Sequence, residues 1–284
     1  MKIIQRLKVG LVLTKDALLV MRHNPKLFAF PIVSGVTGLT FLATFLGVTF
    51  GLMAITPEGG VLVGLALVYL SLTFVSTFFT AALVHQTRAV LAGEDASLRA
   101  GMSAAWARKT PILIWSIISA IVGVILNSLS NSDSSGASRG IAAGLSIAWT
   151  ALTFFVVPVI VFEREGVVGM FTRSASEFKN AWGETTISLG AVQVISFAVT
   201  IPFFLGAYAL AGTSVVAAAG VLLAGISLAF VLTQTLQGVI RTTLYLYATE
   251  GVAPEEFDDV DFEGLAEERI QKRATASPGG FVGK

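Results

Sequence analysis

The sequence predicts an all-α integral membrane protein with six transmembrane helices and three cytoplasmic interfacial helices. Three observations predict it: six long uncharged apolar runs, a one-sided distribution of positive charge, and a helical charged segment ahead of each pair of runs. Hydrophobic residues make up 54% of the 284 positions and charged residues only 13%, against roughly 25% charged in a soluble globular domain.

The spans come first. A helix needs about 20 apolar residues to cross a hydrocarbon core of ~30 Å. Phe28 to Ile55, Val61 to Val84, Ile112 to Leu129, Ile141 to Phe162, Thr186 to Tyr208 and Val215 to Ile240 all qualify, and none contains Asp, Glu, Lys, Arg or His. The first and last are long enough to tilt or to extend beyond the core. Breaker-rich loops separate the two spans of each of the first two hairpins, Thr56-Pro57-Glu58-Gly59-Gly60 and the run from Ser130 to Gly136. A brief turn at Ala211-Gly212-Thr213 makes the fifth and sixth spans a tight antiparallel pair.

Charge orients the spans. Of 19 Lys and Arg residues, 18 lie in four segments: Lys2 to Lys26, Arg88 to Lys109, Arg164 to Lys179, and Arg241 to Lys284; Arg139 is the exception. Basic residues flanking spans stay on the cytoplasmic side, so both termini are expected in the cytoplasm and the chain in the plasma membrane. The opposite connections carry only Glu58, Asp133 and Arg139. Trp106, Trp182, Tyr245 and Tyr247 are expected at the inner interface, where amphipathic rings sit at headgroup level. Charges spread from Lys2 to Lys26 do not fit a cleavable signal peptide, so the first span reads as its own insertion signal.

The cytoplasmic segments look repeated. Ser97 to Thr110 places Leu98, Met102 and Trp106 on one helix face. Val168 to Trp182 does the same with Phe171, Ala175, Phe178 and Trp182. Met21-Arg22-His23-Asn24-Pro25 parallels Ala107-Arg108-Lys109-Thr110-Pro111. The pattern is an interfacial helix followed by two spans, three times over, giving parallel repeats about an axis along the membrane normal. The plainer alternative is that any multi-span protein needs cytoplasmic linkers. In the first helix Ile4, Leu11 and Leu18 recur every seven residues beside Lys8, Lys15 and Arg22, a pattern suited to lying on membrane lipids with basic side chains reaching headgroups.

Residues 1–248 form the membrane domain of this reading, and residues 249–284 an acidic cytoplasmic tail. Nine acidic positions fall between Glu250 and Glu268. Asp258, Asp259, Asp261 and Glu263 lack the spacing of an EF-hand loop, so the tail reads as a solvated acidic segment or a protein-binding one.

Chemistry is sparse. The chain has no cysteine and two histidines, His23 and His85, which leaves no metal site of the usual kinds. A net charge of +1 without a concentrated basic patch argues against nucleic acid. Intramembrane ionisable groups mark proton relays, ion paths and membrane proteases, and the runs hold none. No HExxH helix or Ser–His arrangement appears, so neither enzyme activity nor a cofactor is expected.

One polar stripe remains. Ser227, Gln234, Gln237 and Arg241 follow at i, i+7, i+10 and i+14 along the last span, and Gln193 lies in its hairpin partner. The stripe is either interhelical glue, worth ~1 kcal/mol per bond, or the lining of a polar path. Glu163 and Arg241 leave their spans at similar depth and form a candidate ion pair that sets helix register. Small-residue faces at Gly47-x3-Gly51, Gly140-x3-Gly144, and Gly220 with Gly225 permit close helix approach within or between protomers.

The stretch from Pro158 to Gly166, with Arg173-Ser174-Ala175 and Trp182-Gly183-Glu184, resembles an uncharacterised family of polytopic membrane proteins from haloarchaea and actinobacteria. It is more distantly similar to the membrane domain fused to some glycerophosphodiester phosphodiesterases, which repeats helix-plus-span units. The resemblance implies the fold and brings no catalytic residue. Two functions follow for the chain as a whole: an oligomeric scaffold or accessory subunit that binds partners through its cytoplasmic surfaces, or a channel or facilitator for a small solute.

The cysteine-free background makes topology directly testable. Single cysteines at Gly59 and Ser134 should react with an impermeant thiol reagent added outside intact cells, and one at Ser277 should not. Labelling of Ser277 from outside would overturn the orientation.

Overall fold

The structure is a computed structural model that describes residues 3–131, 136–163, 165–180 and 182–250. The acidic tail beyond Glu250 lies outside the described residues, as do the side chains of Lys8, Asp133, Arg139 and Trp182. Among the described residues all regular structure is helical. Six stretches are long and apolar enough to cross a membrane: Pro25–Ile55, Gly59–Leu91, Lys109–Ser130, Gly140–Phe162, Ala191–Ala211 and Val215–Glu250. The chain is a multi-pass membrane protein.

Three units follow one another. The first is α1 (Ile3–His23), a 3-10 turn at Pro25–Phe28, and the hairpin α2 (Ala29–Ile55) and α3 (Pro57–Leu91). The second is α4 (Leu98–Ala107) with α5 (Lys109–Asn131), α6 (Gly136–Thr153) and α7 (Val156–Phe162). The third is α8 (Val167–Asn180) with α9 (Trp182–Ala211) and α10 (Val215–Glu250). Two crossings separate each short helix from the next, so α1, α4 and α8 share one end of the bundle, the basic end.

Packing follows the same rule. Short helix α4 packs on α3 of the preceding unit, and α8 packs on α6 and α7 of its preceding unit. Helix α1 closes the ring by packing on α9 and α10 of the third. The second spans α3, α7 and α10 meet at the centre, with α2, α5 and α9 outside them. Outer span α5 leans on α3 and α2 on α10, but among the described residues α9 makes no comparable contact with α6 or α7. The three-fold arrangement therefore has an open seam between the second and third units.

The core occupies the basic end. Leu13, Met21, Leu27 and Phe30 pack there with Leu83, Val84, Phe155, Ile160, Leu236, Ile240 and Leu244, all nearly or fully buried. Burial of this kind contributes about 1.5–3 kcal/mol per large apolar side chain in water; within a bilayer, close packing is what holds the helices together. Gly101 and Gly238 permit close approaches here, because a methyl group at either would collide with Phe30 or with Leu83. Chain reversal after α3 uses Gly93, whose φ of 80° suits a residue without Cβ, with the Glu94 amide donating to the Ala89 carbonyl at 2.9 Å.

Toward the other end the hairpins part company. Only 6% of the α2 and α9 windows is buried, and Val36, Phe50, Ile55, Phe197, Tyr208 and Val216 all face outward. Gly47, Gly51, Gly140, Gly144 and Gly220 have open space around them, so the expected small-residue contacts do not form inside the protomer. Gly225 is the exception, tight against Phe203 of α9.

Two expectations are corrected. The fourth span is not one helix: it breaks at Phe154–Phe155 between α6 and α7. Pro158 explains the break, since it lacks an amide hydrogen and its ring crowds the carbonyl four residues earlier. The freed Phe155 amide donates to Ser174 Oγ of α8 at 3.0 Å, and Ser174 is fully buried. Tyr245 and Tyr247 are core residues, not headgroup rings, because α10 continues through them to Glu250 inside the packed end. Trp106 is 60% exposed, with its ring edge-on to Phe78 and Lys109 Nζ 4.9 Å from its centre.

Ser174→Ala should leave the Phe155 amide buried without a partner, which costs about 1–3 kcal/mol. A lowered melting temperature in detergent is expected; an unchanged one would show that the joint does not depend on this bond.

Candidate functional site

A cavity of about 330 Å³ lies where the three inner spans begin to separate. Ser76, Thr77 and Thr80 of α3 form one wall, and Thr150, Thr153, Phe154 and Val157 of α6 and α7 a second. Gln234, Gln237, Gly238 and Arg241 of α10 form the third. Each unit thus contributes its second span. Trp115 and Trp149, stacked at 5.8 Å between ring centres and joined by Phe171 of α8, complete the lining.

Arg241 supplies the only charge in this lining. Its guanidinium lies over the Phe154 ring at 5.0 Å. Its Nε is sealed from solvent without a hydrogen-bond partner. The residue as a whole is half-buried and borders the cavity. Thr150 and Thr153 donate their hydroxyls to the carbonyls of Ser146 and Trp149, at 2.9 and 2.7 Å, so they present only lone pairs. The hydroxyl and amide donors left in the lining come from α10 and α3, beside the indoles of Trp115 and Trp149.

Below the cavity the packed end closes it off, and one polar knot ties that closure together. Glu163, the C-terminal cap of α7, accepts from the buried Tyr245 hydroxyl of α10. It also accepts from Arg173 Nε of α8 at 3.0 Å, and Arg173 reaches Glu177 at 2.9 Å. The Glu163 carboxylate holds the Arg173 guanidinium above its ordinary pKa, mainly through this hydrogen bond. A further link joins Arg88 of α3 to Glu250 at 2.9 Å, with the Arg88 guanidinium 4.9 Å from the centre of the Phe162 ring.

The predicted stripe is divided by the structure. Gln234, Gln237 and Arg241 line the cavity together, whereas Ser227 is exposed on the far half of α10. Gln193 is exposed on α9 beside a separate groove with Ser196 and Thr200. The expected Glu163–Arg241 pair does not form: Glu163 is taken by Tyr245 and Arg173, and Arg241 lies against Phe154 instead. The helix break explains this, because it turns α7 toward α8 and gives Glu163 a nearer cation. The sequence reading missed Ser76, Thr77, Thr80 and Thr153, although Thr73, Thr77 and Thr80, and likewise Ser146, Thr150 and Thr153, recur at i, i+4 and i+7, a hydroxyl period that could have marked them.

The family of unknown function DUF6159 matches residues 60–255. The chain belongs to that family. Its match covers α3 to α10 and so includes every residue lining the cavity and the knot beneath it. No curated protein and no solved structure matches the chain.

A double-mutant cycle distinguishes the two partners considered for Glu163. Ala substitutions at Glu163 and Arg173 should show a coupling of about 0.5–1 kcal/mol, modest because Arg173 is partly exposed. Glu163 with Arg241 should be additive within about 0.5 kcal/mol, and a larger coupling there would contradict the observed pairing.

Proposed function

We propose that the chain is a non-enzymatic membrane protein that takes a small polar solute into the cavity between its three inner spans. The carrying observation is that α3, α6 and α10 turn hydroxyls, amides and one guanidinium toward a shared space within otherwise apolar spans. Polar groups are expensive inside a membrane and face a bundle interior or a water-filled cavity. Simple interhelical glue would bring these groups into contact, yet the Gln234 and Gln237 amides border empty space. A second, mainly apolar groove between α9 and α10, bounded by Ile226, Ala229 and Phe230 with Ser196, Thr200 and Thr233, shares Gln234 with the first. The cavity is closed at the basic end by packed side chains, so passage requires a rearrangement, and the jointed α6–α7 span is the element built to allow one.

In this proposal the basic end faces the cytoplasm and the membrane is the plasma membrane, from the placement of Lys and Arg. The helix-plus-two-spans unit is held in common with relatives in haloarchaea and actinobacteria, and more distantly with the membrane domain of glycerophosphodiester phosphodiesterases. A second reading, an oligomeric scaffold, is favoured by the open glycine faces of α2 and α6. Its contacts would lie on the outer spans, away from the cavity, with the acidic tail available to a protein partner.

Proteoliposomes should pass small solutes faster than protein-free liposomes in a stopped-flow shrinkage assay. Replacing Gln234 and Gln237 together by Leu should abolish the difference while leaving the melting temperature nearly unchanged, since among the described residues neither amide is hydrogen-bonded to a neighbouring helix. Identical fluxes with and without protein would remove the transport reading and leave the scaffold.

A further inference from the structure

We propose that the cavity is an oxyanion site, with Arg241 as the charged ligand and the Gln234 and Gln237 amides as neutral donors. The inference rests on the reading of the cavity as a solute site and names the class of solute. Its starting point is a charge imbalance. Arginine cannot be deprotonated under ordinary conditions, and a buried cation is stable only when it is paired or hydrated. Among the described residues no carboxylate lines the cavity, and no ion pair includes Arg241. The nearest carboxylate on the adjoining helix, Glu163, is committed elsewhere.

Position reinforces the argument. Arg241 lies over Phe154, at the joint between α6 and α7 and eight residues before the end of α7. A long basic side chain close to the span end would reach toward the headgroups; this one instead stacks on an aromatic face deep in the bundle. The ring centre lies 5.0 Å from the guanidinium carbon, and the planar fork of a guanidinium suits bidentate binding of a carboxylate or phosphate. Donor geometry is equally one-sided. The α6 hydroxyls are spent on their own backbone, so the charged and amide donors that an anion would meet are those of α10. A volume of about 330 Å³ lies at the small end of ligand pockets, which admits a small acid or one phosphate-bearing headgroup.

The same chemistry has two sources, a free oxyanion or a lipid phosphate, and one experiment separates them. The full chain is purified in an uncharged maltoside detergent at constant ionic strength, with Trp106→Phe and Trp182→Phe so that fluorescence reports the cavity-wall pair Trp115 and Trp149. Sodium acetate, sodium phosphate and phosphatidylglycerol are each titrated, with chloride as the control. A saturable signal is expected from at least one probe, weakened about tenfold or more by Arg241→Gln. Arg241→Lys keeps the charge without the fork and should fall between the two, which preserves the comparison if the Gln variant fails to fold. A response to acetate or phosphate assigns the site to free solutes; a response to phosphatidylglycerol alone assigns it to lipid. Equal responses of wild type and both variants to all three probes would overturn the oxyanion site. Acrylamide, a neutral quencher, distinguishes the two levels of failure: quenching of Trp115 and Trp149 without any anion effect leaves a site for neutral solutes, whereas exclusion of acrylamide would defeat the solute reading itself.

Discussion

In a bilayer a backbone amide without a partner has no water to turn to, and a break in a spanning helix is tolerated only where the protein supplies one. The fourth span meets that constraint at a single bond, from the Phe155 amide to Ser174 Oγ. Much of the basic end depends on it. The bond sets where α7 starts, and hence where Glu163 emerges to meet Arg173 and Tyr245. It also presents Phe154 to Arg241. A continuous helix through this point would have no reason to bring α8 beneath the cavity.

The knot around Glu163 gives the joint its second fastening. Its members come from α7, α8 and α10, so it ties the short helix of the third unit to the second span of the second unit and to the centre of the bundle. Pairs of this kind are weak where water reaches them, and Arg173 is partly exposed. The buried Tyr245 end is more demanding, because removing Glu163 leaves a hydroxyl in the core without its acceptor. Stability at this end therefore comes from close packing, with the polar knot selecting one orientation of α7 among those that packing alone would allow.

Span count and the alternation of short helix with hairpin were legible in the sequence because both are written in composition and charge. A run such as Val215 to Ile240 has few alternatives to a membrane-spanning helix. The repeat was legible through the spacing of Leu98, Met102 and Trp106, although the cyclic packing of α1 on the third unit could not be read from adjacent residues. The candidate site was half legible. Gln234, Gln237 and Arg241 announce themselves as amides and a cation on one helix face, but the same period swept in Ser227, which the parting of the hairpins leaves exposed. Thr153 was hidden because a threonine bonded to its own helix differs little from an apolar residue until its neighbours in space are known. The Glu163–Arg241 pairing failed for a related reason: depth along the spans was estimated as though all were straight, and Pro158 made one of them bend.

Jointed and unjointed spans also differ mechanically. Helices α3 and α10 run unbroken for 35 and 36 residues, rods of roughly 50 Å that pass from the loose end through the centre to the packed one. Between them stands a span interrupted near its middle. When the surrounding bilayer is stretched or thinned, the rods respond by tilting as whole bodies, while the interrupted span yields at Phe154–Phe155. The mechanically weakest point among the inner spans is thus one peptide joint and one serine hydroxyl, beside the Trp149 and Arg241 walls.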